Sequence, residues 1–273
     1  MLVELRAGEP FVRLGFEFEN RSGDHRLRCH IPLALPATHS AASGGFAVVE
    51  RPLTVEGGYG EAALPTFPAN EFVDAGGAAV LLEHVLEYEL VAGIDGTPGS
   101  ELALTLLRSF GLISRNDNPA REDPAGPERP TPNGQCRGPW QVGFALYPHA
   151  GTWQEARVPA EAERFRHPLL VAAGTAVGAE VAPAQLEADG LRVEGRDVSL
   201  TALRRRDDWL EVRVVRLAAG SGRATVALPA RIVEARHCDL LGRPDRAIPV
   251  DADGAVSIEL GAWQIATLQL RTG

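Results

Sequence analysis

The stretch Glu101 to Arg108, ELALTLLR, constrains the fold of this chain more than any other. Read with a period of two, Leu102, Leu104 and Leu106 fall on one face and Ala103, Thr105 and Leu107 on the other. Both faces are mostly apolar, so the strand needs cover on both sides and belongs in the middle of a sheet. A polar, turn-rich segment, SRNDNPAREDPAGPERPTPNGQC, follows at once, with five prolines between Ser114 and Pro132. Then QVGFALYPH returns as a second strand with Val142, Phe144 and Leu146 on one face. Two core strands joined by a long loop rich in Arg, Asn and Asp describe a scaffold that carries a functional surface.

The same period recurs along the chain. FVRLGFEFEN places Leu14, Phe16 and Phe18 inward, and DHRLRCHI places Leu27, Cys29 and Ile31 opposite Arg26, Arg28 and His30. With the turn Asn20–Gly23 between them, the pair reads as an antiparallel hairpin with one wet face. Further strands are expected at Phe46–Arg51, Ala78–His84, Leu86–Ala92, Glu101–Arg108 and Gln141–Pro148, and GGYGEAALPTFPANEF reads as a Gly/Pro-rich loop with aromatic anchors. One short helix is expected near Pro159–Phe165, because proline suits the first helical position and Glu161 and Glu163 complement the helix N-terminus. Small residues and a proline near Gly174–Pro183 suggest a boundary. Beyond it come six short strand patterns, VSLTALRRR, DWLEVRVVRL, RATVALP, ARIVEARHCDLL, GAVSIEL and WQIATLQLR. The expectation is an all-β chain with a large domain over residues 1–178 and a smaller C-terminal β-sandwich over 179–273.

Charge excludes one class of partner. The net charge is −9, so no basic excess exists to neutralise phosphates, and a nucleic-acid partner is not expected. All 27 basic side chains are arginine. No apolar run is long enough for a membrane helix and no signal-like start is present, so no membrane partner is expected. Cys29, Cys136 and Cys238 are too few and odd in number for a disulfide framework, in keeping with a cytoplasmic location. Cys29-His30 and His237-Cys238 are adjacent pairs that point to opposite faces of a strand, so neither chelates one metal ion easily. A strand pattern beginning at Met1 suggests a piece of a longer protein.

The wording ELALTLLRS, then AGP, Gly-Gln-Cys and ALYPHAGTW, resembles the β-rich C-terminal region of family 38 glycoside hydrolases, the α-mannosidases. NRSGDHRLRCHIPL, Asp239-Leu-Leu-Gly and Ile265-Ala-Thr-Leu extend the resemblance over nearly the whole chain. It implies a large mutarotase-like super-sandwich followed by a smaller sandwich. It also implies that the catalytic zinc and the nucleophilic carboxylate lie on an upstream domain, with no cofactor held by this chain. The implied partners are that catalytic domain of the same polypeptide and an α-mannoside or other glycan.

No catalytic residue is assigned here. A retaining glycosidase needs two carboxyl groups facing each other, and Asp117, Glu122, Asp123 and Glu128 sit in contexts that read as ordinary loop charges. In the resembled family a loop arginine after an acidic pair reaches the substrate pocket, and Asn116-Asp117-Asn118-Pro-Ala-Arg121 is the counterpart. Arg121, Arg115, Asp117 and His149 are therefore the candidate substrate-binding residues, with Arg108 a rival. Asn116-Asp117-Asn118 also has oxygen ligands suited to calcium, without the periodicity of a known loop. Two other functions stay open: an autonomous carbohydrate-binding module with Trp153 and Tyr147 as platform, and a mutarotase-like epimerase using His149 with Glu101.

Overall fold

The computed structural model describes residues 1–168 and 190–273. It is all-β with one α-helix, and the described residues form two units, one ending at His167 and one completed by the C-terminal strands. The boundary expected between residues 178 and 179 lies outside the described residues.

The first unit contains β1 (Leu2–Glu4), β2 (Val12–Asn20), β3 (Arg26–Pro32), β4 (His39–Ser43), β5 (Val48–Pro52), β6 (Thr66–Ala69), β7 (Phe72–Ala75), β8 (Ala78–Leu82), β9 (Leu86–Val91), β10 (Glu101–Arg108), β11 (Gly138–Pro148) and α1 (Val158–Arg166). Seven strands make one sheet in the order β1-β2-β11-β8-β7-β4-β5, and four make the other, β3-β10-β9-β6. Leu102, Leu104 and Leu106 of β10 meet Val142 and Phe144 of β11 and Val80 and Leu82 of β8 in one core. Phe16 stacks on Phe144 at 5.5 Å within it.

The hairpin expected of β2 and β3 is not formed. β2 pairs with β1 and β11, whereas β3 pairs with β10, so Asn20–Gly23 is an arch between the two sheets. Period-two alternation tells which face of a strand is buried but not which sheet it joins. Phe16 and Phe18 on one strand and Ile31 on the other enter the same core from opposite sides.

The second face of β10 is covered by polar chains. Ala103, Thr105 and Leu107 are buried there. Arg28 on β3 reaches Glu89 on β9 at 2.7 Å, Arg26 reaches Glu87 at 3.0 Å, and Thr105 Oγ1 donates to Glu87 at 2.8 Å. The small outward residues of β10 leave room for these long side chains to meet above it.

Helix α1 spans the predicted Pro159–Phe165. It buries Val158, Ala162 and Phe165 and packs on β8 and β7. Strands β4, β6 and β7 were not expected; they are short and carry Ala, Ser or Pro.

The second unit contains β12 (Arg192–Glu194), β13 (Val198–Arg206), β14 (Trp209–Arg216), β15 (Gly222–Ala227), β16 (Ile232–Cys238), β17 (Pro244–Ile248), β18 (Val256–Leu260) and β19 (Ile265–Thr272). A three-stranded sheet, β12-β15-β18, packs on a five-stranded one, β13-β14-β19-β16-β17, over a core that includes Val212, Val214, Val226, Ile258 and Leu268. The six expected strands are present, and β12 and β17 add to them. β13 is an edge strand with an irregular register at Leu200 to Ala202, ending in Arg204, Arg205 and Arg206.

Because Leu104 is fully buried between the sheets of the first unit, Leu104→Ala is expected to destabilise that unit by about 2–5 kcal/mol, read from denaturant unfolding. A loss below about 1 kcal/mol would show that β10 is not central to the core.

Candidate functional site

The loop leaving β10 is built in two stages. Its base is clasped. Phe110 N–H donates to Gly134 O at 2.9 Å, Thr131 N–H to Gly111 O at 2.8 Å and Ile113 N–H to Arg129 O at 3.0 Å. The arch between the sheets adds to the clasp, because Asp24 accepts from Gly111 N–H at 2.7 Å. Gln135 holds the return: its Oε1 accepts from Asp24 N–H and from Ser109 Oγ, both at 2.9 Å. Asn20, buried at the end of β2, donates to the carbonyls of Gln135 and Cys136. NRSGD and Gly-Gln-Cys, which carried part of the family resemblance, are thus parts of one anchor.

Above the base, no residue of 114–132 is buried, as a segment rich in proline and charge requires. Asn116 N–H is held by Glu128 at 2.9 Å. A second segment grips the loop from the side. Glu61 Oε1 pairs with Arg121 at 2.7 Å, Ala62 N–H donates to Ala120 O at 2.8 Å, and Glu122 N–H donates to Gly60 O at 2.8 Å. Sequence reading had no access to this contact, because the partners are some sixty residues apart and neither run is a strand.

Arg108, Arg115, Asp117 and Arg121 line one groove of about 930 Å³, together with Phe110, Leu112 and Ile113. Their states differ. Arg115 makes a two-point pair with Asp117 at 2.8 and 2.7 Å. That hydrogen bonding holds the Asp117 carboxyl below its usual range and raises the Arg115 guanidinium. Arg121 is half-buried and bound to Glu61. Arg108 lies over the Phe110 ring at 5.8 Å and has no acidic partner among the described residues.

His149 is elsewhere. Its side chain is buried and Nε2 meets Asp74 at 2.5 Å, beside a depression formed by Ala34–His39 and Gly76–Gly77. Burial pushes the Asp74 carboxyl up, and His149 pulls it partly back. The structure therefore brings Arg121, Arg115 and Asp117 together and leaves His149 apart.

The other readings meet different geometry. Glu101 pairs with His30 at 2.9 Å while His149 is committed to Asp74, so the epimerase pair does not converge. Trp153 is buried against Phe72, and the Tyr147 hydroxyl donates to Ala156 O, so these two form no exposed platform. Of the proposed calcium ligands, Asp117 is spent on Arg115 and Asn118 Oδ1 on Ala120 N–H. Among the described residues no three His, Cys, Asp or Glu side chains are grouped to hold a metal. No described helix is long and apolar enough to cross a membrane.

The architecture is that of tandem β-sandwiches with an arginine-bearing loop on the first. Residues 197–268 match the family model described as the glycosyl hydrolases family 38 C-terminal beta sandwich domain. An alpha-mannosidase from Enterococcus faecalis V583 has the same fold, with a TM-score of 0.71 and 20% identity over 98% of this chain and 28% of that one. A protein in the Glycosyl Hydrolase Family 38 from Enterococcus faecalis gives a TM-score of 0.71 and 20% identity over 98% and 29%. The resemblance to family 38 thus holds in sequence over residues 197–268 and in fold over 98% of the chain. The chain spans under a third of the length of these solved structures. A sequence search of curated proteins finds no significant match.

Gln135→Ala removes two side-chain hydrogen bonds at the loop base. It is expected to cost about 1–3 kcal/mol and to raise amide exchange across residues 110–136. Unchanged exchange there would show that Gln135 is not the anchor.

Proposed function

We propose that this chain is the non-catalytic C-terminal β region of an α-mannosidase. In the complete polypeptide, a separate catalytic domain hydrolyses terminal α-mannosides with retention. This region completes the substrate pocket and binds carbohydrate through the loop that carries Arg121. Zinc belongs to that catalytic domain; the described residues of this chain offer no set of ligands that fits it. The partners are the catalytic domain and a mannose-bearing glycan, and the place of action is the cytoplasm, in keeping with three free cysteines.

The observation that carries this reading is the fold likeness of almost the whole chain to about a quarter of an alpha-mannosidase. Local chemistry supports it. Retention requires two carboxyl groups about 5 Å apart, one of them with a raised pKa. Three carboxylates of the loop and the segment that grips it are instead tied down: Asp117 by Arg115, Glu61 by Arg121, Glu128 by a backbone N–H. What the groove has to offer is guanidinium forks, which can hold two oxygens in a fixed geometry. Glu61 sets the direction of the Arg121 fork, so its remaining N–H groups are aimed before a sugar hydroxyl or a carboxylate across the domain interface arrives.

Two outcomes are expected. In the polypeptide that includes the catalytic domain, Arg121→Ala lowers kcat/KM about tenfold or more through loss of a charged hydrogen bond of about 1.5 kcal/mol. Its stability falls by no more than about 1 kcal/mol, the worth of one part-exposed ion pair to Glu61. Steady-state kinetics and a thermal melt of that variant test this; unchanged kcat/KM with a lowered Tm would make Arg121 a structural residue. The purified chain alone, with zinc added, hydrolyses no aryl α-mannoside, and clear turnover above a heat-killed control would sink the assignment of catalysis to another domain.

A further inference from the structure

Gly58 and Glu61 exchange two backbone hydrogen bonds, at 3.1 and 3.0 Å, around the two-residue loop Tyr59-Gly60. Both central residues have positive φ, +54° at Tyr59 and +76° at Gly60, the sign pattern of a type I′ turn. That turn favours Asn, Asp or Gly at its first central position, because a Cβ there crowds the backbone and a bulky side chain crowds it more. Tyr59 sits there with its side chain wholly in water, at 109% relative exposure, and no described residue makes a hydrogen bond or ring contact with it. The contrast with other non-glycine residues at positive φ is informative. Asp24, Asp197 and Asp207 are of a type that tolerates it, Cys136 and Trp263 are partly buried, and Arg157 is the N-cap of α1. At Tyr59 an unfavourable backbone conformation displays an aromatic ring that does nothing for the fold.

The ring's address gives it a role. This turn is the one that grips Arg121: Glu61 makes the ion pair, Gly60 O accepts from Glu122 N–H, and Ala62 N–H donates to Ala120 O. A Cβ on Gly57 would lie 2.9 Å from Glu61 O, so the close approach of the two arms of the turn depends on glycine. Tyr59 is thereby carried on the same rigid unit as Arg121.

We propose that Tyr59 is a stacking platform for a sugar ring of the glycan held at the Arg121 groove, a role that rests on the reading of that groove as a glycan site. A pyranose presents an apolar C–H face and a rim of hydroxyls. An aromatic ring takes the first, and guanidinium, carboxylate and amide groups take the second. Tyr59, Arg121, Glu61 and Asn118 supply that combination on two joined segments. A tyrosine also loses little rotamer entropy on stacking, since it has only two side-chain torsions. Tyr59 stands outside the groove's own lining, which is part apolar at Phe110, Leu112 and Ile113, on the turn whose Glu61 holds Arg121, polar groups that suit a sugar's hydroxyl rim.

The test uses this chain, an α-linked mannose disaccharide as probe, and nuclear magnetic resonance titration with a thermal melt of each variant. Tyr59→Phe keeps the ring and is expected to keep the affinity. Tyr59→Asn removes the ring and places a residue suited to the turn. It should weaken binding about tenfold and raise the Tm, a pairing that a structural tyrosine would not produce. Equal affinity in Tyr59→Asn and the parent, a lowered Tm without loss of affinity, or absence of disaccharide binding by the parent each overturns the proposal. If Arg121→Ala abolishes disaccharide binding and Tyr59→Asn does not, the groove stands and the platform falls. If Tyr59→Asn loses the disaccharide while Arg121→Ala hydrolyses normally in the complete polypeptide, the platform stands and the pocket reading of Arg121 falls.

Discussion

Everything in the first unit depends on β10 being covered on both faces. Its leucine face is closed by the seven-stranded sheet, and its other face by arginine–carboxylate pairs that bridge β3 and β9. The second cover is less forgiving than an apolar one. Arg28 and Glu89 are both mostly shielded from water, and removal of either would leave the other's charge poorly solvated. The arrangement works because Ala103 and Thr105 are small enough to lie under it, and because Thr105 donates to Glu87. With β10 fixed, the point at which the chain leaves the sheet at Arg108 is fixed, and so is the root of the loop.

The loop illustrates how a segment without a core of its own is ordered. Its proline and charged residues forbid burial, so its conformation comes from anchors at its margins: the Gln135 clasp at the base and the Glu61–Arg121 grip at the side. The groove between them holds three arginines in three states, one bound to a neighbour in the same loop, one bound to another segment, and one free of carboxylates among the described residues. A solute entering the groove meets these forks unequally.

Much of this was legible in the residues. Two-sided burial of Glu101–Arg108 and six of the terminal module's eight strands follow from alternation, and exposure of the loop follows from its prolines and charges. What alternation does not carry is partnership. β2 shows the expected buried face and β3 does at Cys29 and Ile31 but not at Leu27, which is exposed, yet the two sit in opposite sheets, and Asn20–Gly23 is an arch because Asn20 and Asp24 are hydrogen-bonded into the loop base. The grouping of Arg115, Asp117 and Arg121 was readable because they are neighbours in sequence. His149 was not separable from them on sequence grounds, since only the pairing with Asp74 places it apart. Tyr59 passed as one aromatic anchor among several in a Gly/Pro-rich run; its exposure is a property of the turn and not of the composition.

The edge strand β13 has a consequence for behaviour in concentrated solution. An open sheet edge is a template for another chain's backbone, and the exposed length of β13 is enough to accept one. Its register irregularity at Leu200 to Ala202 breaks the flat ladder that such pairing needs, and it ends in Arg204, Arg205 and Arg206, of which the first and last are paired with Glu211 on β14. A strand docking on this edge would have to lie against long arginine side chains that are already held in place. The strand thus discourages ordered aggregation through a broken ladder and a charged edge, and it does so without lysine.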